Sequence, residues 1–147
     1  MKKFKFSLQK VLEYRAHIEN KEAESLAILY QELHEIEKQK KRLKRKSELY
    51  RMALLNDCRE GVCIVTAVFL SNYIKELIEQ IKLLNKRIAE KNTEVDKQTQ
   101  KLIEATKSKK IIEKLRENKL DNYNSEERKS EEHFIEEFIS YINSTAV

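Results

Sequence analysis

The side chains able to ligate a metal or act as nucleophiles are few: three histidines, His17, His34 and His133, and two cysteines, Cys58 and Cys63. His34 is followed by Glu35, but no second histidine lies four residues on. The spacing that puts two imidazoles on one helical face around zinc is therefore missing. The three histidines read as ordinary surface groups. A structural zinc site takes four ligands, usually as closer pairs than Cys58-x4-Cys63. The two cysteines read as thiols beside a turn, in a reducing compartment. Carboxylates are abundant, yet on solvated helix faces nothing desolvates them or shifts them for proton transfer. One glycine in the whole chain leaves no phosphate-cradling loop. The residues point to no enzyme: no catalytic group, no metal, no cofactor and no small-molecule ligand.

The strongest charge signal is the run Lys38, Lys40, Lys41, Arg42, Lys44, Arg45, Lys46, seven cations in nine residues. Such a run suits nucleic acid or an anionic membrane surface. On a helix, however, these residues wrap around the axis. Few aromatics lie among them to stack on single-stranded bases. A solvated face near acidic residues of a second helix is the plainer reading, and contact with an acidic protein surface comes next. No nucleic-acid partner is expected. Residues 1–56 carry a balance of +6, residues 57–111 +3 and residues 112–147 −4. Folding the chain back on itself neutralises part of this basic character, so the net +5 overstates attraction to polyanions.

These residues are positioned by long helices. The 147-residue chain has no proline, 37% charged and 40% hydrophobic residues, and few turn formers for a many-stranded sheet. From Leu8, alternate steps of four and three reach Leu12, Arg15, Glu19, Glu22, Leu26, Leu29, Leu33, Ile36, Lys40, Leu43, Ser47, Tyr50 and Leu54. Nine of these fourteen positions are apolar, a coiled-coil seam rather than a surface-helix stripe. A second seam runs from Ala67 through Leu70, Ile74, Leu77, Ile81, Leu84, Ile88, Lys91, Val95, Gln98, Leu102, Ala105, Lys109 and Ile112 to Arg116. Between the seams, Asn56-Asp57-Cys58-Arg59-Glu60-Gly61 holds the turn signals.

The expected fold is all-α, a long antiparallel two-helix coiled-coil hairpin with an overhanging C-terminal helical segment. As one unit, helix one covers about 7–56, the turn 56–65, helix two 66–120 and a helical tail 124–143. Paired residue numbers should add to about 120. Asn124 and Glu127, spaced like a capping box, suggest a bend or fresh start before the tail. Polar seam residues fix register at a cost in stability. The apolar middle should therefore be tight, and the end near the termini should open more easily. Val62–Leu70 is too short to span a bilayer, which takes roughly 20 residues. It is either buried at the hairpin tip or left as an apolar patch for a partner. The basic start Met1–Phe6 lacks the apolar core of a signal peptide, and the cytoplasm is expected. Phe4 and Phe6 either pack on helix two near Leu115 or stand exposed as an anchor.

The opening Phe4-Lys5-Phe6-Ser7-Leu8-Gln9-Lys10-Val11-Leu12-Glu13-Tyr14-Arg15 resembles that of FliJ-family proteins, with the pattern Phe-x-Phe-x-Leu-x-x-Val-Leu-x-x-Arg. Lys110-Ile111-Ile112-Glu113-Lys114-Leu115-Arg116, followed by Tyr123, Glu126, Glu127, Arg128 and Glu131, is similar to the family's C-terminal region. One departure is His133-Phe134-Ile135-Glu136-Glu137-Phe138, where the family often ends in an Asp-Glu-rich segment. The resemblance implies a non-catalytic component of the bacterial flagellar type III export machinery, serving motility and chemotaxis. It implies a stalk-like role on the hexameric flagellar export ATPase. The export-gate membrane protein and export chaperones are its further implied partners, at the cytoplasmic face of the inner membrane. The partner-binding residues it marks are Phe4, Phe6, Leu8, Arg15, Lys114, Leu115, Tyr123 and Arg128. For the seam residues among them, packing alone is the alternative. A generic coiled-coil scaffold, or a basic binder of nucleic acid or membrane, are the competing functions.

Overall fold

A computed structural model of the chain describes residues 2–61 and 63–146. Met1 and Val62, which belong to the basic start and the apolar run above, lie outside the described residues. Two helices account for nearly all the rest: α1 (Gln9–Glu60) and α2 (Ile64–Thr145). No strand occurs among the described residues, and the fold is an all-α helical hairpin.

The ends of the helices follow from local chemistry. The Phe6 carbonyl accepts from the Gln9 N–H at 3.1 Å, and the Leu8 carbonyl accepts from the Leu12 N–H at 2.9 Å. The turn before α1 is thus wound by the Phe-x-Phe-x-Leu segment itself. α1 ends at Gly61, whose φ of +79° lies in the left-handed region where a side chain is strained. At the start of α2 the Cys63 carbonyl accepts from the Ala67 N–H at 3.2 Å.

Two local expectations differ from what forms. The turn is shorter than 56–65, because α1 runs through Asn56 and Asp57 to Glu60. Asn and Asp weaken a helix interior by only a few tenths of a kcal/mol, and only Gly61 adopts the reversing conformation. Likewise α2 passes through Asp121, Asn122 and Asn124 without a break, so no separate tail helix begins there. No glycine or proline interrupts that segment, and a few weak helix formers do not stop a propagating helix.

The chain divides into two compact units, Glu22–Lys101 and a terminal unit of Met1–Lys21 with Leu102–Val147. In Glu22–Lys101 the middle of the seam is mostly apolar. Leu33 and Ile36 of α1 and Ile74, Leu77, Leu84 and Val95 of α2 are buried, with Leu77 only 3% exposed. Ser47 is buried among the seam positions as well. Tyr50 meets Tyr73 edge-on at 4.8 Å between ring centroids, and the Lys46 ammonium lies 5.5 Å from the Tyr73 ring centre. The two helices pair antiparallel: Lys91 reaches Glu32 at 2.5 Å, and the Gln98 amide donates to the Glu22 backbone carbonyl at 3.1 Å and to its carboxylate. Those numbers add to 123 and 120, the register expected from a turn near residue 60.

In the terminal unit Phe6 is the one buried apolar side chain among the described residues. Leu8, Leu12, Ala16, Ile18 and Glu19 are half-buried, as are Leu102, Ala105, Lys109, Ile112 and Arg116 of α2. Arg15, placed in the seam by spacing, is instead exposed, and Ala16 takes the inward position. An α-helix has 3.6 rather than 3.5 residues per turn, so one step of four in place of three restores the facing side. That slip leaves the guanidinium in water.

Candidate functional site

The N-terminal segment lies against α2 through aromatic and cationic side chains. The Phe4 ring packs on Tyr123 at 5.6 Å, tilted by 52°, and the Arg116 guanidinium lies 5.8 Å from the Phe4 ring centre. The Tyr123 hydroxyl donates to the Lys2 carbonyl. Phe6 is buried beside this clamp in sequence. A cation over an aromatic face and a tilted aromatic pair each contribute about 0.5–1.5 kcal/mol. The Arg116 Nε is buried with no hydrogen-bond partner, so its attraction to Phe4 is offset by lost hydration.

The marked residues thus separate into two sets. Phe4, Phe6, Leu8 and Tyr123 are buried or half-buried, and Phe4 and Tyr123 touch. Arg15, Lys114, Leu115 and Arg128 are exposed. Of the two readings for the N-terminal aromatics, packing on α2 is what forms: Phe4 lies on Arg116, next to Leu115 in sequence, and on Tyr123. Arg116 is the participant that sequence reading left as a mere seam position. A cation at a seam position four residues past Ile112 was the available signal.

A second polar device closes the seam of the terminal unit. Lys109 Nζ lies 3.1 Å from Glu19, with only 26% and 22% of the two side chains exposed, and 3.5 Å from Glu113. The hydrogen bond from Lys109, followed by that from Thr106, holds the Glu19 carboxyl below its ordinary range. Lys109 is raised in turn, chiefly by the hydrogen bond to Glu19. In Glu22–Lys101, Lys91 is raised by hydrogen bonds to Glu32 and Glu94.

The apolar start of α2 is open to solvent: Ile64, Val65, Val68 and Phe69 are all more than half exposed, while Ala67 and Leu70 face inward. Of the two readings for this stretch, the patch is what forms. The basic run is solvated, and its Arg42 lies on the same surface hollow as Glu90 of α2 without an ion pair to that helix among the described residues. Among the described residues its one ion pair is Lys38 to Glu35, on α1 itself, at 3.9 Å. His17, His34 and His133 are exposed, and His133 approaches Glu137 one turn on at 3.1 Å. Cys58 and Cys63 are exposed free thiols, and the described residues gather no group of three metal-ligating side chains. No described helix is long and apolar enough to cross a membrane.

No curated protein and no solved structure matches the chain. The model of one family, described as Flagellar FliJ protein, matches residues 4–145. That span takes in the Phe4–Arg116–Tyr123 clamp, the Glu19–Lys109 pair and the whole of both helices. The chain therefore belongs to the FliJ family and is a component of the flagellar protein export apparatus.

Proposed function

We propose that this chain is a stalk-like regulator of the hexameric export ATPase and an escort for export chaperones. It acts at the membrane export gate, peripherally on the cytoplasmic face of the inner membrane. The observation that carries this reading is the build of the terminal unit. The two ends of the chain are locked together by Phe4, Arg116 and Tyr123, so N-terminal and C-terminal residues form one surface. Arg15, Lys114 and Arg128 project from that unit into solvent and are free to meet carboxylates of a ring. The exposed apolar start of α2, with Ile64, Val65 and Phe69, is the surface offered to the gate.

The test is the ATP hydrolysis rate of the cognate export ATPase with and without this protein. Stimulation with ring assembly is expected. The triple variant Arg15→Glu, Lys114→Glu, Arg128→Glu changes exposed residues only and should keep its helicity. It should bind the ATPase about tenfold or more weakly, because charges at an interface steer association. Folded wild-type protein that neither binds nor stimulates the ATPase would replace this reading with that of a plain scaffold.

A further inference from the structure

Two exposed apolar stripes of this chain carry opposite charge. One lies on the outer face of α1. Leu49, Met52 and Leu55 are 61–70% exposed and share one face of α1 with Arg45, Arg51 and a single carboxylate, Glu48. They alternate with Leu43, Ser47, Tyr50 and Leu54, which face α2, so the stripe looks away from the hairpin seam. Lys41 and Arg45 continue the same face toward the N-terminus at helical spacing. The other stripe is the end of α2. Every residue from Arg128 to Ala146 is exposed, and Phe134, Ile135, Phe138, Ile139, Tyr141 and Ile142 crowd one side. Residues 126–137 hold six carboxylates against two cations, while residues 38–46 hold seven cations and no carboxylate.

The two stripes also match in spacing. A single offset of 86 residues sets Lys41 beside Glu127, Arg45 beside Glu131, Leu49 beside Ile135 and Met52 beside Phe138. A parallel helix pair with this register buries the apolar residues and places cations against carboxylates. Pairing either stripe with its own copy does neither: two tails oppose acid to acid, and two α1 faces oppose base to base. We propose that the C-terminal segment of one molecule docks on the outer face of α1 in a second copy of this chain, parallel and in that register. This goes beyond the export reading and does not depend on it.

The contact is heterologous, because donor and acceptor surfaces differ. Each bound molecule keeps one surface free, so association extends into chains unless the rotation closes a ring. Stripes of about three turns bury roughly 1,000 Å², the low end for a specific interface. Association is accordingly weak and salt-sensitive.

The experiment is sedimentation velocity on the full chain across the micromolar range, at about 0.05 and 0.5 M salt. The average mass should rise above 17.6 kDa with concentration and fall back at high salt. Glu131→Lys and Arg45→Glu, both at exposed positions, should each weaken self-association about tenfold, and an equimolar mixture of the two should restore it. Ile135→Asp should leave a monomer with unchanged helix content. A wild-type monomer at every concentration overturns the proposal, as does a mixture that fails to recover. Equally, it falls if the chain stays monomeric while the run 38–46 binds phosphatidylglycerol vesicles or duplex DNA. The run would then serve phosphate.

Discussion

The unit Glu22–Lys101 and the terminal unit are built from the same two helices and the same heptad spacing, yet they are held together differently. Six of the seven buried apolar side chains among the described residues belong to Glu22–Lys101, and the terminal unit has Phe6 alone. Each unit carries one cross-helix ion pair, Lys91–Glu32 and Lys109–Glu19, and where the first unit has its apolar core the terminal unit has the aromatic clamp on Arg116. Burial of Leu, Ile and Val is non-directional and adds with area. A charged pair or a cation over a ring adds less but works only in one register. The comparison shows one helical hairpin dividing its work. An apolar seam holds it folded, and a polar seam sets which residues of the two chain ends meet.

The largest expected effect breaks the apolar side of the comparison. Leu77→Ala, at the most buried seam position, should cost about 2–5 kcal/mol of unfolding free energy in a urea titration followed by circular dichroism. If Leu77→Ala cost no more than Leu115→Ala, whose side chain is 36% exposed, the apolar seam would not be what holds Glu22–Lys101 together. Amide hydrogen exchange sharpens the same contrast. Amides around Leu77 and Leu84 should exchange at least about tenfold more slowly than those around Ile112 and Arg116, because local opening follows the density of buried apolar contacts. Equal protection in both units would erase the distinction. Next in size is the clamp. Phe4→Ala removes the contacts to Arg116 and Tyr123 and should cost about 1–2 kcal/mol, expressed as faster exchange confined to the terminal unit. Loss of protection around Leu77 in the same variant would show that the units do not open separately.

Much of this was legible in the sequence, since 28 of 29 seam positions chosen by spacing are buried or half-buried. Burying an apolar stripe on a period near 3.5 leaves few arrangements, and Gly61 supplies the reversal. The miss at Arg15 has a plain cause. Spacing alone does not say where a helix of 3.6 residues per turn slips by one position, and Ala16 offered no hydrophobic signal of its own. The helix boundaries at 56–65 and 120–124 were misplaced because Asn and Asp weaken a helix without ending it. The clamp was half legible. Phe4 and Tyr123 stood out by type, but their joining through Arg116 depends on where the two ends of the chain come to lie. The α1 stripe of Leu49, Met52 and Leu55 escaped notice because apolar residues off the seam, set among cations, look like ordinary helix surface.

The smallest effect is the dependence of the terminal unit on pH, and it tests whether the polar seam is more than decoration. Glu19 is depressed below its ordinary value of 4.5 when folded. Its contribution is therefore present above that value and disappears as pH falls through the lower folded value. Lys109 is raised above 10.5. Its contribution is complete below that value and is lost as pH rises through the higher folded one. Between about pH 5 and pH 10 both act in full, so a plateau is expected there. Glu19→Gln should lower the thermal midpoint on that plateau. Its deficit relative to wild type should shrink to nothing on the acid side, where the wild-type carboxyl is protonated as well. Glu32→Gln, aimed at the carboxylate that raises Lys91 in the apolar unit, should leave the exchange rates of the terminal unit unchanged. A Glu19→Gln deficit that persists unchanged at acid pH would mean that it does not come from the carboxylate's charge, since glutamine keeps the same stem.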